Sequence, residues 1–101
     1  MYARMTRYEG GSPEAIDETL GQKKQVLPTE PGQTEGMHGA IFLADRGNGT
    51  VVVISLWEDE DALKASESDA ARLRDQVTAE GETATVEHFE VAQFAVAQEQ
   101  P

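Results

Sequence analysis

Hydrophobic positions along this chain switch between two periodicities, and the switches divide it into six elements. Tyr2 to Tyr8 has a period of two, with Tyr2, Arg4, Thr6 and Tyr8 on one face and Ala3, Met5 and Arg7 on the other. Glu9, Gly10 and Gly11 end this first strand. Ser12-Pro13 then signals a helix entry, because serine can cap free N–H groups and proline's missing donor costs nothing in a first turn. Ile16, Leu20 and Leu27 supply an apolar stripe, and Lys23 and Lys24 lie near the favourable C-terminal end of the dipole. This helix is expected to stop before Pro28, where a Pro- and Gly-rich loop reaches Gly36.

Met37 to Ala44 reads as a second strand, and the turn Asp45-Arg46-Gly47-Asn48-Gly49 joins it to a third, Thr50 to Trp57. Four acids, Glu58 to Asp61, follow at once. Acids facing unpaired N–H groups mark a helix start, and one helix is predicted from about Glu58 to Thr78. Its stripe is Leu63, Ala70, Leu73 and Val77, and Gly81 lies just past its end. Thr83 to Val91 is a fourth strand. Phe89 and Val91 share one parity and Phe94 and Val96 the other, so a bend is expected near Ala92 or Gln93, before a terminal arm of about residues 92–101.

The order β-α-β-β-α-β defines an α+β chain of ferredoxin-like type, an antiparallel sheet with both helices on one face. The strands, however, are apolar on both faces. Val51, Val53 and Trp57 oppose Val52, Ile54 and Leu56 in the third, and Ile41 and Leu43 oppose Ala40 and Phe42 in the second. Two short helices cover one face only, so a homodimer with sheets packed face to face is expected, the arm reaching toward the second subunit.

At 101 residues the chain has room for one domain, taken as residues 1–101, and 39% hydrophobic content supports one core. Its net charge of −11, from 8 basic and 19 acidic residues, repels phosphate backbones and anionic lipid headgroups, so neither nucleic acid nor membrane is an expected partner. There is no cysteine, which excludes thiolate chemistry and disulfides. Arg4 and Arg7 interrupt any apolar leader and no run is long enough to span a membrane, so a cytoplasmic location is expected.

The segment SLWEDEDALKAS, the start TRYEGGSPEAID and the end VEHFEVA resemble the antibiotic biosynthesis monooxygenase-like family of dimeric α+β barrels, in particular its uncharacterised actinobacterial members. The resemblance spans nearly the whole chain. It implies a dimeric barrel with a pocket between helices and sheet that takes a small apolar or aromatic ligand. It further implies cofactor-independent oxygenation of an aromatic or quinone-like substrate, with no metal or cofactor. The alternative is a non-catalytic dimeric ligand-binding or stress-related scaffold. Trp57 matches the family's strand-end tryptophan. Val53 and Leu63 stand where the aromatic polyketide oxygenases have Asn and Tyr, and Ser66 and Gln76 where the haem-degrading branch has Trp and His.

The residues that can carry chemistry are few. Trp57 lines a pocket or plugs the end of the core. His88 and Tyr8 are the candidates to take or share a phenolic proton, and His38 and Arg4 to bind substrate. A buried Arg4 beside Tyr8 can orient an anionic or phenolic ligand; an edge-exposed salt bridge is its commoner role. His38 and His88 fall on strands that are not neighbours in a ferredoxin-like sheet, so they imply no metal pair. His88 is preferred because its parity partner Val86 points to a buried face. Asn48 belongs to its turn, and Glu58 to Asp61 to a solvated helix cap.

Overall fold

The computed structural model describes residues 1–30 and 33–97. Four strands form one sheet in the order β2-β3-β1-β4: β1 is Tyr2–Glu9, β2 Met37–Asp45, β3 Thr50–Trp57 and β4 Thr83–Glu90. All three pairings are antiparallel. A 3-10 turn, Pro13–Ala15, leads into α1, Ile16–Val26; α2 is Glu60–Ala65 and α3 Glu67–Val77. The arrangement is the ferredoxin-like one expected.

Register decides which side chains meet the helices. Tyr8 pairs with Val51 and Ala84, Thr6 with Val53 and Val86, Arg4 with Ser55 and His88, and Tyr2 with Trp57 and Glu90. These residues share the helix-covered face. Tyr8, Val51 and Val53 pack with Ile16, Leu20 and Val77 in one core cluster, and Trp57 packs with Met37 and Leu63 in a second. The opposite face carries three rows that cross the sheet: Leu43-Val52-Arg7, Ile41-Ile54-Met5 and Leu56-Ala3-Phe89. No helix covers it, and Ile41, Leu43 and Phe89 are 41%, 47% and 46% exposed.

Helix ends follow the expected physics with two corrections. Asp59 caps α2, its Oδ1 accepting the Ala62 N–H at 2.8 Å. Asp59→Ala is therefore expected to cost about 1 kcal/mol in urea unfolding. Ser12 makes no such bond; its hydroxyl donates to Glu14 instead, at 2.7 Å. The single helix expected from Glu58 to Thr78 is broken at Ser66. The Leu63 carbonyl would accept the Glu67 N–H in an unbroken helix. It accepts instead from Arg4 Nη2 at 3.0 Å and Ser66 Oγ at 2.8 Å, and the chain turns there.

Strand β4 stops at Glu90, and residues 91–97 form no regular element. The Val91 N–H still donates to the Met1 carbonyl at 2.9 Å, and beyond it Phe94 and Val96 are 61% and 73% exposed. The rest of the expected arm, 98–101, lies outside the described residues. No helix among the described residues is long and apolar enough to cross a membrane.

Candidate functional site

A cavity of about 160 Å³ opens between the sheet and the segment Ser66 to Arg74. Its floor is the helix-facing side of β1 and β3: Arg4, Thr6, Tyr8, Val53, Ser55 and Trp57. Met37, Leu27 and Pro28 close one side, and Ser66, Ala70, Leu73, Arg72 and Arg74 contribute from the helix side. Three of the residues singled out in the sequence, Arg4, Tyr8 and Trp57, therefore line one space.

Arg4 is not at an edge. Strand β1 is central, and Arg4 is 5% exposed. Its Nε donates to Glu67 Oε2 at 3.0 Å, and Nη2 donates to Leu63 O and Ser66 Oγ. The guanidinium also lies 5.3 Å from the centroid of the Trp57 ring, a cation–π distance. Burial lowers the Arg4 pKa and Glu67 offsets part of that; arginine nevertheless stays charged across the physiological range. The indole N–H of Trp57 is satisfied by Ser55 Oγ at 2.9 Å, which holds the ring in place.

Tyr8 is 1% exposed, and among the described residues its hydroxyl makes no hydrogen bond within the protein. Lys23 Nζ sits 4.4 Å from its ring centroid. Burial pushes the phenol up to about 12, with Arg74 pulling the other way and Glu82 adding to the rise. At neutral pH Tyr8 is consequently a hydrogen-bond donor and no base. Because the folded pKa lies above the ordinary 10.0, the neutral phenol favours the folded state fully below pH 10, and that contribution disappears as pH rises through about 12. Absorbance at 295 nm should show a tyrosine step near pH 12 that is missing in Tyr8→Phe.

Glu67 ties the polar end together. It meets Arg4, Arg74 Nη2 at 3.3 Å and His88 Nε2 at 3.3 Å. Burial raises its pKa, but the charges of Arg4 and Arg74 outweigh that and hold the carboxyl below its ordinary value. His88 lies on the helix-facing side of β4, as its parity suggests, yet β4 is an outer strand and the side chain is 40% exposed. It reaches the site through Glu67 and does not line the cavity. His38 is exposed and also outside the cavity lining. A bulge between Met37 and Gly39 removes it from the strand's alternation, with Gly39 at φ 156°.

Arg74 and Glu67 had not been singled out in the sequence. Their signal was nevertheless present: each lies four residues after a stripe position, Glu67 after Leu63 and Arg74 after Ala70, so each is a charge set on the apolar face of a helix. Of the positions that depart from family chemistry, Val53 and Ser66 line the cavity, Leu63 packs under Trp57, and Gln76 is exposed. Among the described residues no cluster of His, Asp and Glu could hold a metal ion.

No protein-family profile matches the chain. It is 31% identical over 93 residues to the uncharacterised protein Rv2557 of Mycobacterium tuberculosis strain H37Rv; the match covers 91% of this chain and 41% of that protein. The chain thus spans about two fifths of the length of this curated relative. Among solved structures, SnoaB, a cofactor-independent oxygenase from Streptomyces nogalater, superposes with a TM-score of 0.64 at 17% identity, over 92% of this chain and 94% of SnoaB. An antibiotic biosynthesis monooxygenase gives 0.63 at 20% identity, over 90% and 99%. A dimeric ferredoxin-like protein from an uncultured marine organism gives 0.67 at 7% identity, over 95% and 92%. Likeness at these identities concerns architecture, and in architecture the chain has the ferredoxin-like fold that these antibiotic biosynthesis monooxygenase-type structures share.

Proposed function

We propose that this protein binds a small hydroxylated aromatic molecule, a phenol or hydroquinone, in the cavity between its helices and sheet. The observation that carries this reading is the convergence of the Trp57 ring, apolar walls and the unbonded Tyr8 hydroxyl on one space. A cavity of about 160 Å³ is comparable to the roughly 150 Å³ engineered cavities that accept benzene, so one aromatic ring with small substituents fits within it. Tyr8, neutral at physiological pH, donates to the ligand oxygen.

Trp57 is the only tryptophan, so its fluorescence reports occupancy of the site directly. Titration with a panel of phenols and hydroquinones should give saturable quenching. Absence of any saturable change across the panel removes the proposal.

A catalytic version, oxygenation without a cofactor, is favoured by the cations lining the cavity, since guanidinium charge stabilises the electron-rich phenolate that reacts with oxygen. In it His88 acts on the site from outside, through Glu67, and Trp57 stacks on the ring. An oxygen electrode separates the versions: consumption above buffer with a bound hydroquinone indicates turnover, and binding without consumption indicates a ligand-binding protein.

The assembly proposed is a homodimer through the uncovered sheet face. Its contiguous apolar side chains, Leu43, Val52, Ile41, Ile54, Met5, Leu56 and Phe89, make a patch larger than a monomer usually exposes, and the same chain in a second copy presents a matching surface. Light scattering should give twice the chain mass at micromolar concentration, and Ile54→Glu, at the centre of the face, should give the monomer. A wild-type monomer contradicts this assembly.

A further inference from the structure

We propose that the ligand of this cavity is an aromatic carboxylate and that Arg74 is its anchor; the inference rests on the binding reading above and assigns the substrate class. The chain has only five arginines against 19 acids, yet three of the five, Arg4, Arg72 and Arg74, line this one cavity. The acids that answer them are Glu67 and Asp69. Three guanidinium groups against two carboxylates leave a positive spot in a molecule whose net charge is −11.

The three arginines are not equivalent. Arg4 is committed, through Nε and Nη2, to Glu67, the Leu63 carbonyl and Ser66. Arg72 is 62% exposed and pairs with Asp69 at 3.4 Å near the solvent. Arg74 is different: its side chain is 15% exposed, and among the described residues its only side-chain partner is Glu67 Oε1, at 3.3 Å. That same carboxylate already serves Arg4 at 2.9 Å. A guanidinium carries five N–H donors, and because Arg74 lines the cavity those that Glu67 does not take are open to its contents. Water can meet those donors when the cavity is empty. A carboxylate meets them with two parallel charge-assisted bonds, a geometry that neither an uncharged phenol nor an ammonium group can offer.

The rest of the lining orients such a ligand. Trp57, Met37 and Leu73 offer apolar contact for the ring, while Tyr8, whose hydroxyl is free to donate, lies on the same floor. The acid surface at large repels anions over long range, but at physiological salt that field is screened within about 8 Å, and the local pairing decides.

Isothermal titration of the full chain with 4-hydroxybenzoate and with its uncharged amide, 4-hydroxybenzamide, tests the inference. Wild type should bind the acid roughly 10- to 100-fold more tightly, the range that a hydrogen bond between charged partners supports. Arg74→Gln should abolish that preference, weakening the acid at least 10-fold more than the amide, and Arg74→Lys should restore part of it. If wild type binds both equally, or prefers the amide, the carboxylate assignment is overturned and the aromatic site stands. If neither binds, while Trp57 fluorescence also shows no saturable response to the phenol panel, the underlying reading falls with it. Loss of both ligands in Arg74→Gln, with an unchanged circular dichroism spectrum, would overturn Arg74 as the carboxylate anchor.

Discussion

Lys23→Met should destabilise the fold by about 3–5 kcal/mol, a large share of the 5–15 kcal/mol that holds a typical domain together. Lys23 and Glu82 are both fully buried, with Nζ 3.0 Å from Glu82 Oε1 and 3.2 Å from the Val77 carbonyl. Glu82 Oε1 also accepts the Ala79 N–H at 3.0 Å, whereas Oε2 has no partner among the described residues. Removing the lysine leaves a carboxylate in the core with one backbone donor, and that uncompensated charge is the source of the loss. It also takes the ammonium from the face of Tyr8. The double variant Lys23→Met with Glu82→Gln should recover part of the stability, because no charge is then stranded. Urea midpoints at constant slope measure both effects. A single variant within 1 kcal/mol of wild type would show that the pair is hydrated in solution.

Ala70→Phe should reduce affinity for any cavity ligand by about 100-fold or more, with unfolding stability changed by less than about 2 kcal/mol. Ala70 lines the cavity from α3, so a phenyl group there occupies the space the ligand ring requires. Filling a void restores dispersion contacts, and for that reason the variant should remain folded. Wild-type affinity in a folded Ala70→Phe protein would place the binding site elsewhere.

The strand and helix order, the register parity and the uncovered sheet face were legible in the sequence, because each rests on periodicity alone. What escaped were charges set inside the periodic stripes. Lys23 falls between Leu20 and Leu27 on the apolar face of α1, and a reading that credits it to the helix dipole overlooks its fully buried partner on the loop before β4. Arg4 was legible as a candidate but not its reach from the sheet to the Leu63 carbonyl of α2, one of the two bonds made to that carbonyl at the break. The local half of that interruption, the Ser66 hydroxyl on the Leu63 carbonyl, is a side-chain bond that helical periodicity does not register, and the other half is a contact 59 residues distant in sequence. His38 left its strand's alternation by a bulge, which strict parity cannot represent. The site's apolar half followed from Trp57, and its polar half required the tertiary contacts of Glu67 and Arg74.

A crystal structure of the protein grown with 4-hydroxybenzoate would show both the occupant of the cavity and the assembly. The expected result is one ligand per chain in the cavity, its ring against Trp57 and its carboxylate on Arg74, within a dimer joined through the faces that carry Ile41, Ile54 and Met5. A ligand bound only on the outer surface, with the cavity holding water alone at saturating concentration, would contradict the account.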